Sequence, residues 1–262
     1  MNFDYTDITL PEGGTFRISP SQVSGFFDLS VVWYREQVLG EKVFLGSTAT
    51  YLGSAIHGIA EAYGSGQPVD RSAVEDYISS ITNPDVDKDE IRSLYPGMSE
   101  ALINEYISTN MPTQVEYQTM TEVKDGIYVG GSVDNRTGDG LNGNSGTIVD
   151  YKNASKKPNT EKIPFAYFIQ LMSYAYCDRA NGVLTDRLRL VYTVRPTKTL
   201  PIRVFVVNHQ ITPDDWVMIE NTLELIAETI LVSRAQPDLV PLLFKSMNLK
   251  QPTPPTTISL FK

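Results

Sequence analysis

The chain has 262 residues, 41% of them hydrophobic, enough to bury the core of one large domain or two small ones. Its formal net charge of −9 excludes coating nucleic acid by bulk positive charge. A carboxylate cluster whose cations supply the missing charge would still permit nucleic-acid chemistry. The single cysteine, Cys177, excludes an internal disulfide and any all-cysteine metal cluster, and fits a reducing cytoplasm.

The opening MNFDYTDITLPEGG lacks the basic and apolar stretches of a secretory leader, and no run of eighteen apolar residues predicts a membrane span. No GxxxxGK[ST] loop for nucleotide phosphates is present. In Ser19-Pro20-Ser21-Gln22, Ser19 can cap a helix, Pro20 suits its first turn and Gln22 completes a capping box. That helix is expected to run to Gly40. A second is predicted from Thr48 to Tyr63, with Leu52, Ile56, Ile59 and Tyr63 on one stripe and Gly64 at its end. Further helical stretches fit residues 70–82 and 87–110, the latter interrupted at Pro96-Gly97.

The pattern then changes. Residues 114–137 carry strand-type content around Asp125-Gly126, a hairpin turn signal. After the glycine-rich GDGLNGNSG (138–146) comes a strand at 147–152, then a helix from about Pro164 to Asn181 closed by Gly182. Strands follow near 186–195 and 201–209. Thr212-Pro213-Asp214-Asp215 combines a cap, a first-turn proline and acids at the positive dipole end of a helix. From about Gln236 the chain is proline-rich and reads as an extended tail. The sum is an α/β chain of the α+β type, a mixed β-sheet core flanked by helices. We expect one domain over residues 1–236, with a helical N-terminal section at about 18–110 and the α/β core at about 114–235, then a tail over 237–262.

The strand TIVDYK sets Asp150 and Lys152 two residues apart, hence on one side of the sheet. Taken alone, the tripeptide is more simply a surface ion pair. Asp134, in GGSVDNR, ends the preceding strand across the glycine-rich connection. Two converging carboxylates repel unless a cation lies between them, and hard divalent ions prefer oxygen ligands. A neighbouring lysine can orient a water and stabilise developing negative charge. Those parts suit phosphodiester hydrolysis.

GSVD, a glycine-rich gap and IVDYK together resemble the G-x-[IV]-D … [IV]-[IV]-D-x-K signature of the PD-(D/E)xK nuclease superfamily. Gln170-Leu171-Met172-Ser173-Tyr174 is similar to the Q-x-x-x-Y helix of its RecB-like branch. Gly53-Ser54-Ala55-Ile56-His57 resembles that branch's G-x-x-x-H helix, and ISPSQVSGFF resembles its S-x-S-x-[LIV] start. The matches keep the family's order over roughly residues 18 to 176. The resemblance implies a restriction-endonuclease-like fold in which His57, Asp134, Asp150 and the Tyr151 backbone carbonyl hold Mg2+ or Mn2+. It further implies that Lys152 positions the attacking water, that Gln170 and Tyr174 contact the substrate strand or the lysine, and that Glu116 is a supporting acid. Read unaided, a lone histidine at the edge of an apolar stripe, as His57 is, is more often a packed core residue than a ligand, and Gln170 and Tyr174 are simply a polar helix edge. Glu61 could orient the His57 ring, and His209 matches no motif. Arg136, Lys156, Lys157 and Lys162 are candidate phosphate contacts.

The iron–sulfur cysteines of many RecB-like relatives are missing, so no iron–sulfur cluster is expected. The resemblance thus implies a metal-dependent DNA nuclease, an exonuclease of phage or bacterial recombination, replication or repair acting on linear ends, single- or double-stranded. Two other readings stay open: a catalytically silent or partner-dependent nucleic-acid-binding subunit of the same fold, and an unrelated α/β protein whose motifs coincide. The C-terminal Thr257-Ile258-Ser259-Leu260-Phe261 is similar to the pentapeptide by which bacterial replication proteins enter a sliding clamp, or else packs on its own domain.

Overall fold

A computed structural model describes residues 8–27, 31–41, 46–141 and 143–243. The elements are β1 (Phe16–Ile18), α1 (Pro20–Phe26), α2 (Val31–Gln37), α3 (Thr48–Gly64), α4 (Arg71–Ser80), α5 (Lys88–Glu105), β2 (Gln114–Lys124), β3 (Ile127–Thr137), β4 (Gly146–Ala154), α6 (Phe165–Ala180), β5 (Thr185–Val194), β6 (Arg203–Gln210), α7 (Pro213–Ala235) and α8 (Val240–Leu243). The strands form one mixed sheet in the order β1-β3-β4-β5-β6, with β2 also paired to β3. β4 and β5 are parallel, joined by α6 as a crossover; β5–β6 and β2–β3 are antiparallel.

Helices cover both faces, and strand alternation sorts the core between them. Ile148, Leu188 and Leu190 face α6 and α7, packing with Ile169, Met172, Ile219 and Leu223. Val149, Tyr151 and Val191 face the opposite way, against Leu52 and Ile56 of α3 and Met98 and Leu102 of α5. The expected mixed sheet flanked by helices is the observed one. Asp125 and Gly126 turn the β2–β3 hairpin with φ of +44° and +78°, the left-handed pair that a two-residue primed turn requires.

Four local expectations are corrected. Ser19 is the N-cap of α1 but makes no side-chain cap bond; its hydroxyl lies 3.1 Å from that of Ser21, so the capping box does not form. The first helical stretch is two helices, α1 and α2, before Gly40 at φ +69°. α5 runs unbroken through Pro96, because Ile91, Tyr95, Met98 and Leu102 are buried on both sides of it. That burial outweighs the proline's cost of about 3 kcal/mol. The chain after Gln236 is not extended throughout: Pro237–Leu239 forms a 3-10 turn leading into α8, whose Val240 is buried. The clamp-like pentapeptide lies outside the described residues.

The strand β1 was not foreseen, and it matters for the site. β2 occupies one edge of β3, so β1 and β4 share the other, at opposite ends. β1 pairs with Ile127 to Val129, and β4 pairs with Asn135 to Thr137. No described strand pairs with residues 130–134 on that edge. The sheet is split there, and a cleft opens into the gap.

Candidate active site

The cleft measures about 650 Å³ and is lined by His57, Glu61, Glu116, Asp134, Asp150, Lys152, Gln170 and Tyr174, among others. Strand divergence positions the carboxylates. Past Val149, β4 leaves β3, and the Tyr151 N–H freed by the split donates to Asp134 Oδ2 at 2.7 Å. The pairing of β2 with β3 skips Glu116, opposite Asp134. Glu116 there takes φ +46°, a strained conformation for a residue with a Cβ, and its Oε2 accepts from the Ser132 hydroxyl at 2.7 Å. A backbone cost of order 1–3 kcal/mol is thus stored where one carboxylate is aimed into the cleft.

His57 reaches in from α3. Its Nε2 donates to the Tyr151 carbonyl at 2.8 Å and its Nδ1 faces Asp134 Oδ2 at 3.4 Å. Glu61 lines the same cleft one turn later, and the ring's orientation comes from Tyr151 and Asp134. Lys152 Nζ lies 2.8 Å from Asp150 Oδ1 and 2.7 Å from Oδ2, with the Tyr167 ring 5.1 Å away. Only the Oδ1 contact has hydrogen-bond geometry, so Oδ2 is buried without a hydrogen-bond partner. From α6, Gln170 Nε2 donates to Asp150 Oδ1 at 3.2 Å, and Tyr174 follows one turn on.

The electrostatics are those of acids crowded out of water. Burial and repulsion from Asp134 push Glu116 up to about 7. Burial pushes Asp150 up to about 6, with Lys152 opposing and Asp134 assisting. Burial disfavours the charged His57 ring, but the Asp134 carboxylate outweighs it and holds the imidazole at about 9. The same attraction, against burial, keeps Asp134 below the usual carboxylate range. Lys152 is held above its ordinary value because Asp150 and Asp134 outweigh its burial. In the metal-free chain it is an ammonium, a donor and not a base.

These residues fit a divalent cation. One ligand atom each from His57, Glu116 and Asp134 lie within 4.8 Å of one another, and Asp150 Oδ2, met by the Lys152 ammonium but by no hydrogen bond, adds a further oxygen to the cleft. The expected set was His57, Asp134, Asp150 and the Tyr151 carbonyl, with Glu116 in support. In the metal-free arrangement Glu116 stands in the compact trio, while Asp150 is turned to Lys152 and Gln170.

The expectation for Arg136 is corrected. Its side chain is 0% exposed, ion-paired with Asp178, and donates to the Thr185 hydroxyl and the Leu184 carbonyl. A guanidinium so enclosed cannot meet a phosphate. Asp178 continues the stripe of Gln170 and Tyr174 by one turn, a spacing that could have signalled its buried partner. Lys156 is exposed on the loop after β4, outside the cleft lining; Lys157 caps the Phe205 ring, and Lys162 is exposed. His209 is structural, bonded to Asp215 at 2.8 Å and packed edge-on to Phe168. Two contributors were missed. Ser132 could have been found two residues before Asp134 on the same strand face, whereas Arg17, on a three-residue strand, leaves no periodic signal.

A family model described as the PD-(D/E)XK nuclease superfamily matches residues 17–238. Comparison with curated proteins finds no significant match. Among solved structures the chain is similar to a candidate exonuclease from Eubacterium rectale, with 17% identity, 91% of each chain covered and a TM-score of 0.56, a likeness of fold. Remoter likenesses are to LHK-Exo, solved in complex with dAMP (13% identity, 72% of this chain and 98% of that one, TM-score 0.38), and to SSO0001 (12%, 88% and 98%, 0.35). With the split sheet, the acids at its opening and a family match over most of its length, the chain belongs to the PD-(D/E)XK nuclease superfamily.

Proposed function

We propose that the chain is a Mg2+- or Mn2+-dependent deoxyribonuclease that hydrolyses phosphodiester bonds of DNA from a strand end, as a cluster-free relative of the RecB-like exonucleases. The observation that carries the reading is the ion pair of buried Asp150 and half-buried Lys152, which lines one cleft with His57, Glu116 and Asp134. His57, Asp134, Asp150 and the Tyr151 carbonyl would hold the cation, with Glu116 as a supporting acid. When bound, the cation supplies Lewis-acid stabilisation of charge on the phosphate and a more acidic water.

The chain's own residues supply position and charge. Lys152, kept protonated by Asp150 and Asp134, offers its ammonium to a phosphate oxygen on which negative charge develops. Gln170 holds the Asp150 carboxylate from the α6 side, and Tyr174 walls the same end of the cleft. Exonucleolytic mode is supported by the resemblance and by the naming of the Eubacterium rectale neighbour as a candidate exonuclease, and a role in recombination or repair by the resemblance alone. Lys156 is a candidate contact for phosphates beyond the cleft.

The test uses end-labelled linear and closed circular DNA, single- and double-stranded, with Mn2+ or with EDTA. Manganese-dependent loss of linear DNA with circles intact is the expected result. Cutting of circles would replace end-directed action with an endonuclease. No cleavage of any DNA by protein that binds Mn2+ would overturn the deoxyribonuclease reading.

A further inference from the structure

Among the described residues, the cleft carries one guanidinium, that of Arg17, and the catalytic assignment leaves it without a role. Arg17 comes from β1, is half-buried, and has one nitrogen fixed by donation from Nη1 to the Gly130 carbonyl at 2.9 Å. No carboxylate pairs with it among the described residues. Its fork keeps further N–H groups for a ligand, and its positive charge, unlike those of Lys152 and His57, is not committed to a carboxylate of the cleft. Ser19 and Ser21, which line the same cleft, bring two hydroxyls 3.1 Å apart beside it in sequence. Ser19 stands at a helix N-cap yet makes no cap bond, its hydroxyl meeting that of Ser21 instead.

The spacing along β3 sets what this group can reach. Gly130, Ser132 and Asp134 alternate onto one strand face. Four residues of strand from Gly130 to Asp134 amount to about 13 Å. Successive phosphates of one strand are a full sugar–phosphate unit apart, more than the axial rise of about 3.4 Å per stacked nucleotide, so this distance spans about two phosphates. The guanidinium sits at the Gly130 end of this stretch, whereas the Lys152 ammonium is drawn to Asp150 and Asp134, so the two address different phosphates of one strand.

We propose that Arg17, with the hydroxyls of Ser19 and Ser21, forms a phosphate-binding subsite that holds an internal phosphodiester of the substrate strand a few nucleotides from the one cleaved. The subsite rests on the nuclease reading of the cleft. It adds positive charge to a cleft that must admit a polyanion to a chain of net charge −9.

The experiment walks a single neutral methylphosphonate linkage along an end-labelled oligonucleotide, measuring binding and Mn2+-dependent cleavage with wild type, Arg17→Ala and Arg17→Lys at several salt concentrations. Wild type is expected to lose affinity when one particular linkage, a few nucleotides from the cut, is neutral. Arg17→Ala should raise KM about tenfold with kcat little changed, and become indifferent to that linkage. It should also lower the slope of log KM against log salt by about one, and Arg17→Lys should restore the slope. Wild-type affinity indifferent to every non-scissile neutral linkage overturns the subsite, and this arm requires no variant to fold. Wild-type KM and salt slope in a folded Arg17→Ala overturn it equally. A dependence seen only with a 5′- or 3′-terminal phosphate overturns the internal subsite in favour of an end-phosphate pocket. Wild type that binds with the expected linkage dependence but cleaves nothing sinks the nuclease reading and leaves the subsite standing.

Discussion

Nε2 of His57 lies 2.8 Å from the backbone carbonyl of Tyr151, two groups that the family resemblance assigns to one cation. A carbonyl only accepts, so Nε2 carries a proton, and Asp134 beside Nδ1 keeps the ring cationic to about 9. A cation bound between them must displace that proton. Glu116 and Asp150, held up to about 7 and about 6, release protons over the same process. Mn2+ affinity should rise with pH between about 6 and 9, with proton release visible as a dependence of the calorimetric heat on buffer ionisation enthalpy. Buffer-independent heats at pH 7 would contradict this arrangement.

Glu116→Gln separates stability from metal binding. The Glu116 carboxyl is raised from 4.5 to about 7 by burial and by Asp134. Its folded form binds the proton more tightly than its unfolded form, so the stability it contributes is full below pH 4.5 and is lost as pH rises through 7. A neutral amide escapes that loss. At pH 8 the metal-free variant should melt higher than wild type, and its Mn2+-induced rise in Tm should be smaller. A variant that melts lower without metal would show that Glu116 is a stabilising carboxylate.

The Arg136–Asp178 pair should matter for the fold and not for DNA. Arg136→Met leaves Asp178 buried beside the Tyr117 and Thr185 hydroxyls with no cation. A loss of about 3–5 kcal/mol is expected in denaturant unfolding, with most of it recovered when Asp178→Leu is added. The salt dependence of DNA binding should be unchanged in protein that remains folded. A lowered salt slope with normal stability would return Arg136 to the substrate.

Much of this architecture was legible in the residues because it rests on local signals. The two-residue turn at Asp125-Gly126, the apolar stripe of α3 and the cap at Thr212 each declare themselves within one element. Asp134, Asp150 and Lys152 were legible because strand alternation fixes which side chains share a face. What stayed hidden depends on distant chain. β1 is three residues long and exists because its edge meets Ile127 to Val129, more than a hundred residues away. Pro96 was read as a break because propensity is local, whereas the packing that carries α5 through it is not. Arg136 was misplaced because its charge is visible in sequence and its burial against Asp178 is not.

The most direct test of the central claim compares wild type, Lys152→Ala and Asp150→Ala for Mn2+-dependent cleavage of end-labelled linear DNA, with the Mn2+-induced shift in Tm measured on the same preparations. Lys152→Ala should lose at least about a hundredfold in cleavage rate and keep the thermal shift, because it removes charge stabilisation and leaves the ligands. Asp150→Ala should lose both. Cleavage by Lys152→Ala at the wild-type rate, or a thermal shift lost in Lys152→Ala and kept in Asp150→Ala, would contradict the account.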